Sequence, residues 1–139
     1  MHVREILADS SFEGNLIIPT TRDAFLGECL SLLEVRNIGY IDIDPWVHSK
    51  KNNCHNNVLE YIEWYGGKQI KGYYWLVDQD NQTVLAISHS VVRTLSGQIR
   101  DITPCDDQRD SNLFSLSDQS SLELSSSSKV IYGFSFSLS

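Results

Sequence analysis

The chain has 139 residues, a formal net charge of -7, and 41% hydrophobic against 21% charged residues. This composition predicts one globular domain, 1–139, and excludes a wholly disordered or fibrous protein. Nucleic acids and anionic membrane surfaces bind through clustered Lys and Arg, and here only Lys50 and Lys51 stand side by side. We therefore expect neither nucleic acid nor membrane as a partner.

No segment approaches the ~20 consecutive apolar residues of a membrane span. The first nine residues, Met1–Asp9, include charged side chains where a signal peptide would be apolar. These features favour a soluble cytoplasmic protein and leave secretion by a leaderless route open. They give no oligomeric state.

Two helices are predicted from apolar spacing. Apolar residues recur at helical intervals over Thr21–Arg36, which places Cys29 in a buried stripe. A second amphipathic helix begins after Asn53 and ends at Gly66-Gly67, because Asn is a common N-cap and Gly a common helix stop. Cys54 is then in the first turn of that helix.

The strands are predicted from β-branched and aromatic residues. Ile70–Asp78 and Gln82–Arg93 flank a polar turn and predict an antiparallel hairpin, and Gln98–Thr103 adds a short strand through a three-residue turn. The stretch Gly39–His48 contains Pro and has no helical period, so it predicts a loop or a short extended piece. The expected fold class is α+β, with the Cys-bearing helix packed on an antiparallel β-sheet.

The last 29 residues contain 12 serines. Most of residues 111–129, including the run Ser125–Ser128, is predicted to be a Ser-rich flexible loop. Residues 130–138 alternate large apolar and small or polar side chains, which is typical of a half-buried strand. We expect this C-terminal strand to return to the sheet.

Three cysteines at long spacings, without a C-x-x-C pair, argue against a disulfide framework and leave room for a reactive thiol. The N-terminus of a helix stabilises an anion and lowers the pKa of a thiol, as expected for Cys54. Cys105 precedes Asp106-Asp107, whose carboxylates would raise its pKa. With Cys29 assigned to the core, Cys54 is the candidate nucleophile.

A histidine and an aspartate follow in an order that suits this nucleophile. His89 shares one strand face with the large apolar residues around it. A three-residue turn puts His89 opposite Thr103 and on the same face as Asp101, within reach of an imidazole–carboxylate hydrogen bond. Cys54, His89 and Asp101 then have the roles of nucleophile, base and orienting group.

This order of elements resembles the papain-like and transglutaminase-like cysteine hydrolases, over about residues 53–101. The resemblance implies a papain-like core in which Cys54 attacks a carbonyl, His89 transfers the proton and Asp101 holds the imidazole. More narrowly, Cys54-His-Asn-Asn-Val and His89-Ser-Val-Val followed by Asp are similar to N-terminal glutamine amidohydrolases. The wider pattern, including Asp101-Ile-Thr-Pro, also resembles small bacterial proteins of no assigned activity.

The resemblance implies an amidase or deamidase that cleaves a glutamine-like side chain, a peptide end or a small amide through a thioester. A protein, a peptide or a small amide is the expected partner. The chain lacks the second large lobe of papain, so a broad endopeptidase cleft is not expected.

The resemblance further implies an oxyanion hole that includes the backbone N–H of Cys54. Papain-like enzymes place a glutamine six residues before the cysteine, where this chain has His48. The second donor is therefore open among His48, Asn52 and Asn53. Asn57 either shapes the pocket or binds a neighbouring loop.

Several aromatic residues either line a substrate groove or belong to the core, and the core is favoured for most of them because aromatic residues beside a sheet are usually buried. Trp75 is the one retained as a pocket candidate. The full set is Trp46, Trp64, Tyr73, Tyr74 and Trp75.

Two alternatives compete with the hydrolase. A zinc site would use His48, Cys54, His55 and His89, but adjacent residues of a helix cannot easily face one ion, so no metal and no cofactor is expected. The other alternative is a non-enzymatic interaction module of effector, immunity or inhibitor type. In that case Cys54 and His89 are structural, and the Ser-rich loop and strand 130–138 recognise the partner.

Overall fold

The computed structural model describes residues 2–6, 16–19, 24–33, 35–105, 109–117, 123–124, 130–131 and 133–137. The elements in chain order are β1 (His2–Ile6), β2 (Leu16–Ile17), α1 (Ala24–Leu33), β3 (Arg36–Asp42), α2 (Cys54–Tyr65), β4 (Lys68–Asp78), β5 (Thr83–Arg93), β6 (Ile99–Arg100), β7 (Ser111–Leu116), β8 (Glu123–Leu124), β9 (Val130–Ile131) and β10 (Gly133–Ser137).

An eight-stranded antiparallel sheet dominates the described residues. Its main path runs β1-β10-β5-β4-β7-β3, with β2 paired to β4 and β6 paired to β5. Strands account for 48% of the structure and the two short helices for 20%. The predicted α+β fold with a papain-like core is therefore wrong, because segments interpreted as loops are strands of a sheet that dominates the protein.

The second helix and the central hairpin agree with the sequence. α2 ends at Tyr65, and the next residue, Gly66, has a left-handed φ of 76° and donates its N–H to the Ile62 carbonyl. β4 and β5 pair along their whole length, from Lys68 opposite Arg93 to Asp78 opposite Thr83. Neither described helix is long and apolar enough to cross a membrane.

The first helix ends earlier than predicted. α1 spans Ala24–Leu33, while Arg36 already begins β3. Residues 21–23, at the start of the predicted helix, lie outside the described residues.

Several strands were not predicted from the sequence. β3 begins at Arg36, the last residue assigned to the first helix, and only its residues 39–42 fall in the stretch predicted to be a loop or a short extended piece. β7 forms the first six residues of the Ser-rich segment and pairs with both β3 and β4. Each lacks a strong local strand pattern, and the ladder hydrogen bonds come from partners far away in sequence.

The C-terminal strand does return to the sheet, as β10 between β1 and β5. Phe136 on this strand is fully buried in the core. Residues 125–129 and 138, together with Tyr132, lie outside the described residues. The strand's buried aromatic ring therefore contributes to the core.

The apolar side chains form separate clusters. The largest joins α1 to β4, β5, β7 and β10, and includes Leu26, Cys29, Tyr73, Trp75, Val77, Val84, Ala86, Leu113 and Phe136. A second cluster packs α2 against the end of β5 through Trp46, Val58, Tyr61, Val92 and Ile102. This second cluster fixes the position of α2, and with it Cys54.

Gly72 lies in the part of β4 that pairs with β7 and leaves no room for a side chain. A Cβ atom there would lie 1.9 Å from the Ser115 carbonyl oxygen and 2.9 Å from the Phe114 ring. Gly72→Ala should therefore lower the free energy of unfolding by about 2–3 kcal/mol, because two paired backbones must separate.

Gly39→Ala in β3 is the matched control, since nothing lies within 4 Å of the added Cβ. We expect its effect on urea unfolding to stay within about 1 kcal/mol. Equal destabilisation by the two substitutions would contradict the close approach of β4 and β7.

Candidate active site

Cys54 is the first residue of α2, directly after the N-cap Asn53. The first intrahelical bond is donated by the Asn57 N–H to the Asn53 carbonyl, at 2.9 Å. The N–H groups of the preceding helical residues, starting with Cys54, have no acceptor within the helix. The thiol therefore lies in the positive field of the helix N-terminus.

The N-terminus of α2 contacts β5 in the interval between its pairing with β10 and its pairing with β6. β10 pairs with β5 up to Ile87, and β6 pairs with it from Val92. In this interval His89 is only 5% exposed. The local geometry lets Cys54 approach the histidine from the side of the strand.

The predicted pairing of β5 with the following segment is confirmed. Val92 lies opposite Arg100, and Arg93 lies opposite Ile99. Extending this register along the two segments places His89 opposite Thr103. The His89 Nε2 atom is 2.8 Å from the Oδ2 atom of Asp101, which is fully buried. The imidazole N–H thus donates to a carboxylate that is shielded from water.

The Cys54 thiol interacts with two imidazoles, those of His89 and His55. Burial by itself raises the pKa of Cys54. The positive charge of His89 and the hydrogen bonds from both rings outweigh burial and lower the pKa to about 6. Near neutral pH the sulfur is therefore an anion.

The pKa of His89 is raised, and the pKa of Asp101 is lowered. Burial lowers the pKa of His89, but the Asp101 carboxylate and then the Cys54 anion reverse this and raise it to about 10. Burial raises the pKa of Asp101, and the charge and hydrogen bond of His89 lower it below its usual range. The three residues form a thiolate–imidazolium–carboxylate chain.

His55 enters from the other face of β5. Its Nδ1 atom is hydrogen-bonded to the Ser90 hydroxyl, and its Nε2 atom lies 3.3 Å from Ser88 Oγ. Gln69 donates to the same Ser90 hydroxyl at 3.2 Å. Sequence reasoning considered His55 only as a zinc ligand, although its position next to Cys54 was a signal for a role at the thiol.

Asn57 holds the loop before α2 in place. Its Oδ1 accepts the Lys50 N–H at 3.0 Å, while its Nδ2 donates to the Lys50 carbonyl at 2.8 Å and to Thr103 Oγ1 at 3.0 Å. Both amide hydrogens are therefore used within the protein. Of the two roles considered for Asn57, the contacts match the binding of a neighbouring loop.

Asn53 and His48 are placed differently. The half-buried Asn53 is adjacent to Cys54, and its Oδ1 accepts from Asn56 at 3.0 Å. The exposed His48 packs against Trp46 and Trp64, with ring centroids 4.9 Å away in both cases. The structure thus puts Asn53 beside Cys54 and His48 in an aromatic group.

Trp75 belongs to the core. It is fully buried, and its indole N–H donates to Ser115 Oγ at 2.7 Å. It pairs with Ala86, which is in the opposite row of β5 from His89. Trp75 therefore belongs to the core and not to the group of side chains around Cys54.

The other cysteines differ from Cys54. Burial and the Glu28 carboxylate raise the pKa of Cys29 to about 11, and Cys105 is half-buried with its thiol 3.7 Å from the Arg109 carbonyl. Among the residues that the structure describes, no three His, Cys, Asp or Glu side chains are grouped to hold a metal ion.

Comparisons with known proteins identified no relative of this chain. No protein-family model, no curated protein and no solved structure matches the chain.

Proposed function

We propose that the protein is a cysteine hydrolase, an amidase or deamidase that cleaves an amide through a thioester at Cys54. The observation that carries this proposal is the hydrogen bond of the His89 Nε2 atom to the buried Asp101, together with the interaction of the same imidazole with the Cys54 thiol. Perturbed titratable groups that are linked in this order are typical of sites for acyl transfer.

In the first half of the reaction the Cys54 thiolate attacks the amide carbon. The C=O π electrons move to oxygen, and the backbone N–H of Cys54 at the helix N-terminus donates to the oxyanion. Collapse of this intermediate expels the amine or ammonia, which takes its proton from the His89 imidazolium. The products of this half are a thioester and neutral His89.

In the second half His89 acts as the base. The sulfur no longer carries a negative charge in the thioester, so one of the two charges that raise the pKa of His89 is gone. The imidazole can then remove a proton from water as the water attacks the thioester carbon. Collapse releases the carboxylic acid and regenerates the thiolate beside the imidazolium.

The burial of the site favours a narrow substrate group. His89 is 5% exposed and Cys54 is half-buried, so the reacting amide must reach into a recess. A glutamine-like side chain or a peptide end has this shape, whereas the middle of a folded chain does not. The substrate class is therefore a presented side-chain amide, a peptide end or a small amide.

The test uses a glutamine analogue with a chloromethyl ketone in place of the carboxamide. We expect one covalent adduct, mapped by mass spectrometry to Cys54, since the thiolate displaces chloride only where the analogue is positioned. A leucine-derived chloromethyl ketone is the matched control and should react more slowly. Equal modification of Cys54 and Cys105, or no preference for the glutamine analogue, would refute a glutamine-directed hydrolase.

A further inference from the structure

A buried amide meets the carboxylate of Asp101. Asn112, on β7, is 3% exposed, and its Nδ2 lies 2.8 Å from Asp101 Oδ2, the same oxygen that accepts from His89. The Thr103 N–H approaches the other oxygen, Oδ1, at 3.3 Å. Both oxygens of Asp101 are thus held by the protein.

Arg109 determines which way the Asn112 amide faces. Arg109 Nη1 is 2.9 Å from Asn112 Oδ1, and a guanidinium can only donate. The carboxylate of Asp101 can only accept, so the NH₂ group of Asn112 must face Asp101. Both neighbours require the same orientation.

The same arginine also reaches His89 by a second route. Its guanidinium lies over the Tyr74 ring, 4.9 Å from the centroid, and the edge of Tyr74 meets His89 with centroids 5.0 Å apart. Five side chains, each in contact with the next, form a closed circuit that includes the imidazole: His89, Asp101, Asn112, Arg109 and Tyr74.

We propose that Asn112, oriented by Arg109, is a positioning residue that fixes the Asp101 carboxylate and through it the His89 ring that faces Cys54. This inference rests on the proposed function. Without the Nδ2–H bond the carboxylate can rotate, and the imidazolium loses its fixed direction towards the sulfur. Asn112 acts through Asp101 and has no contact with the reacting atoms.

The experiment measures the rate of Cys54 alkylation by iodoacetamide against pH. In the unchanged protein the rate should rise as pH passes upward through about 6, because the thiolate reacts and the thiol does not. A midpoint at the ordinary value of a free cysteine would refute the proposed function itself, and not only the role of Asn112.

Asn112→Ala and Arg109→Ala should each move this midpoint upward by about one unit, which lowers the thiolate fraction at pH 6 about fivefold. Arg100→Ala is the matched control, since Arg100 also lies over a tyrosine and pairs with Asp44 at 2.8 Å, outside the circuit. Its midpoint should stay near 6. A purely structural role of Asn112 or Arg109 would lower thermal stability without moving the midpoint of the folded protein, and that result would overturn the inference.

The double variant decides whether Arg109 acts through Asn112. If it does, adding Arg109→Ala to Asn112→Ala produces no further shift, since coupled residues are not additive. An additive shift would overturn the inference, because Arg109 would then act through Tyr74. If Asn112→Ala does not fold, Arg109→Ala tests the inference by itself, because Arg109 is only half-buried. An unchanged midpoint in Arg109→Ala would then overturn the inference.

Discussion

Replacing Cys54 with alanine should abolish hydrolysis and covalent labelling while the protein remains folded. Loss of the nucleophile removes the only route to a thioester, and we expect the rate to fall by at least ~10⁴-fold. His89 and Asp101 keep their direct 2.8 Å hydrogen bond in this variant. Rates measured with a glutamine-containing peptide, together with a thermal melt, check both expectations.

Cys105→Ala is the matched control for this substitution. Cys105 is also half-buried, and its thiol donates to the Arg109 carbonyl at 3.7 Å. Its replacement should leave the rate within about twofold of the unchanged protein. Residual activity in Cys54→Ala, or equal losses in the two variants, would refute Cys54 as the nucleophile.

Replacing Asp101 with asparagine should produce the largest change in the pH dependence of the site. The Asp101 carboxylate is the leading cause that raises the pKa of His89, so its removal lets burial pull that pKa down. The neutral imidazole then no longer stabilises the Cys54 anion, and the thiol pKa rises from about 6 towards its ordinary value. The pH midpoint of alkylation should rise by about two units, which slows the reaction at pH 7 about tenfold.

The size of this shift separates charge from shape. Asparagine keeps the size of Asp101 and one oxygen acceptor, so a rise of about two units, larger than the rise expected from lost orientation alone, reports the lost negative charge. Asp44→Asn is the control, because Asp44 is 63% exposed in its side chain and pairs with Arg100 away from the thiol. If Asp101→Asn leaves the midpoint near 6, the carboxylate does not support the ion pair.

Local sequence features were sufficient to predict the part of the fold that surrounds Cys54. Asn53 before Cys54 and glycine after Tyr65 marked both ends of α2, since capping and stop signals act within a few residues. The register of β5 with β6 followed from the three-residue turn, and this register places Asp101 on the face of His89. Short-range chemistry therefore predicted which residues could meet.

The sheet as a whole was not predictable in this way. β3 and β7 obtain their ladder hydrogen bonds from each other across about 70 residues, and neither has the alternation of an isolated strand. Because β7 was assigned to a Ser-rich loop, Asn112 was not considered as a partner of Asp101. The contact between Asn112 and Asp101 was therefore not predicted.

Sequence alone thus determined the helix that carries Cys54, the hairpin that carries His89 and the order of the three candidate residues. Tertiary structure alone decided that the sheet dominates the fold, that Trp75 belongs to the core, and that His55 and Asn112 flank the site. The difference has one physical reason. Caps, turns and the registers of hairpins are fixed by neighbours along the chain, whereas the pairing of distant strands and the burial and partners of a side chain are fixed by segments that meet only after folding.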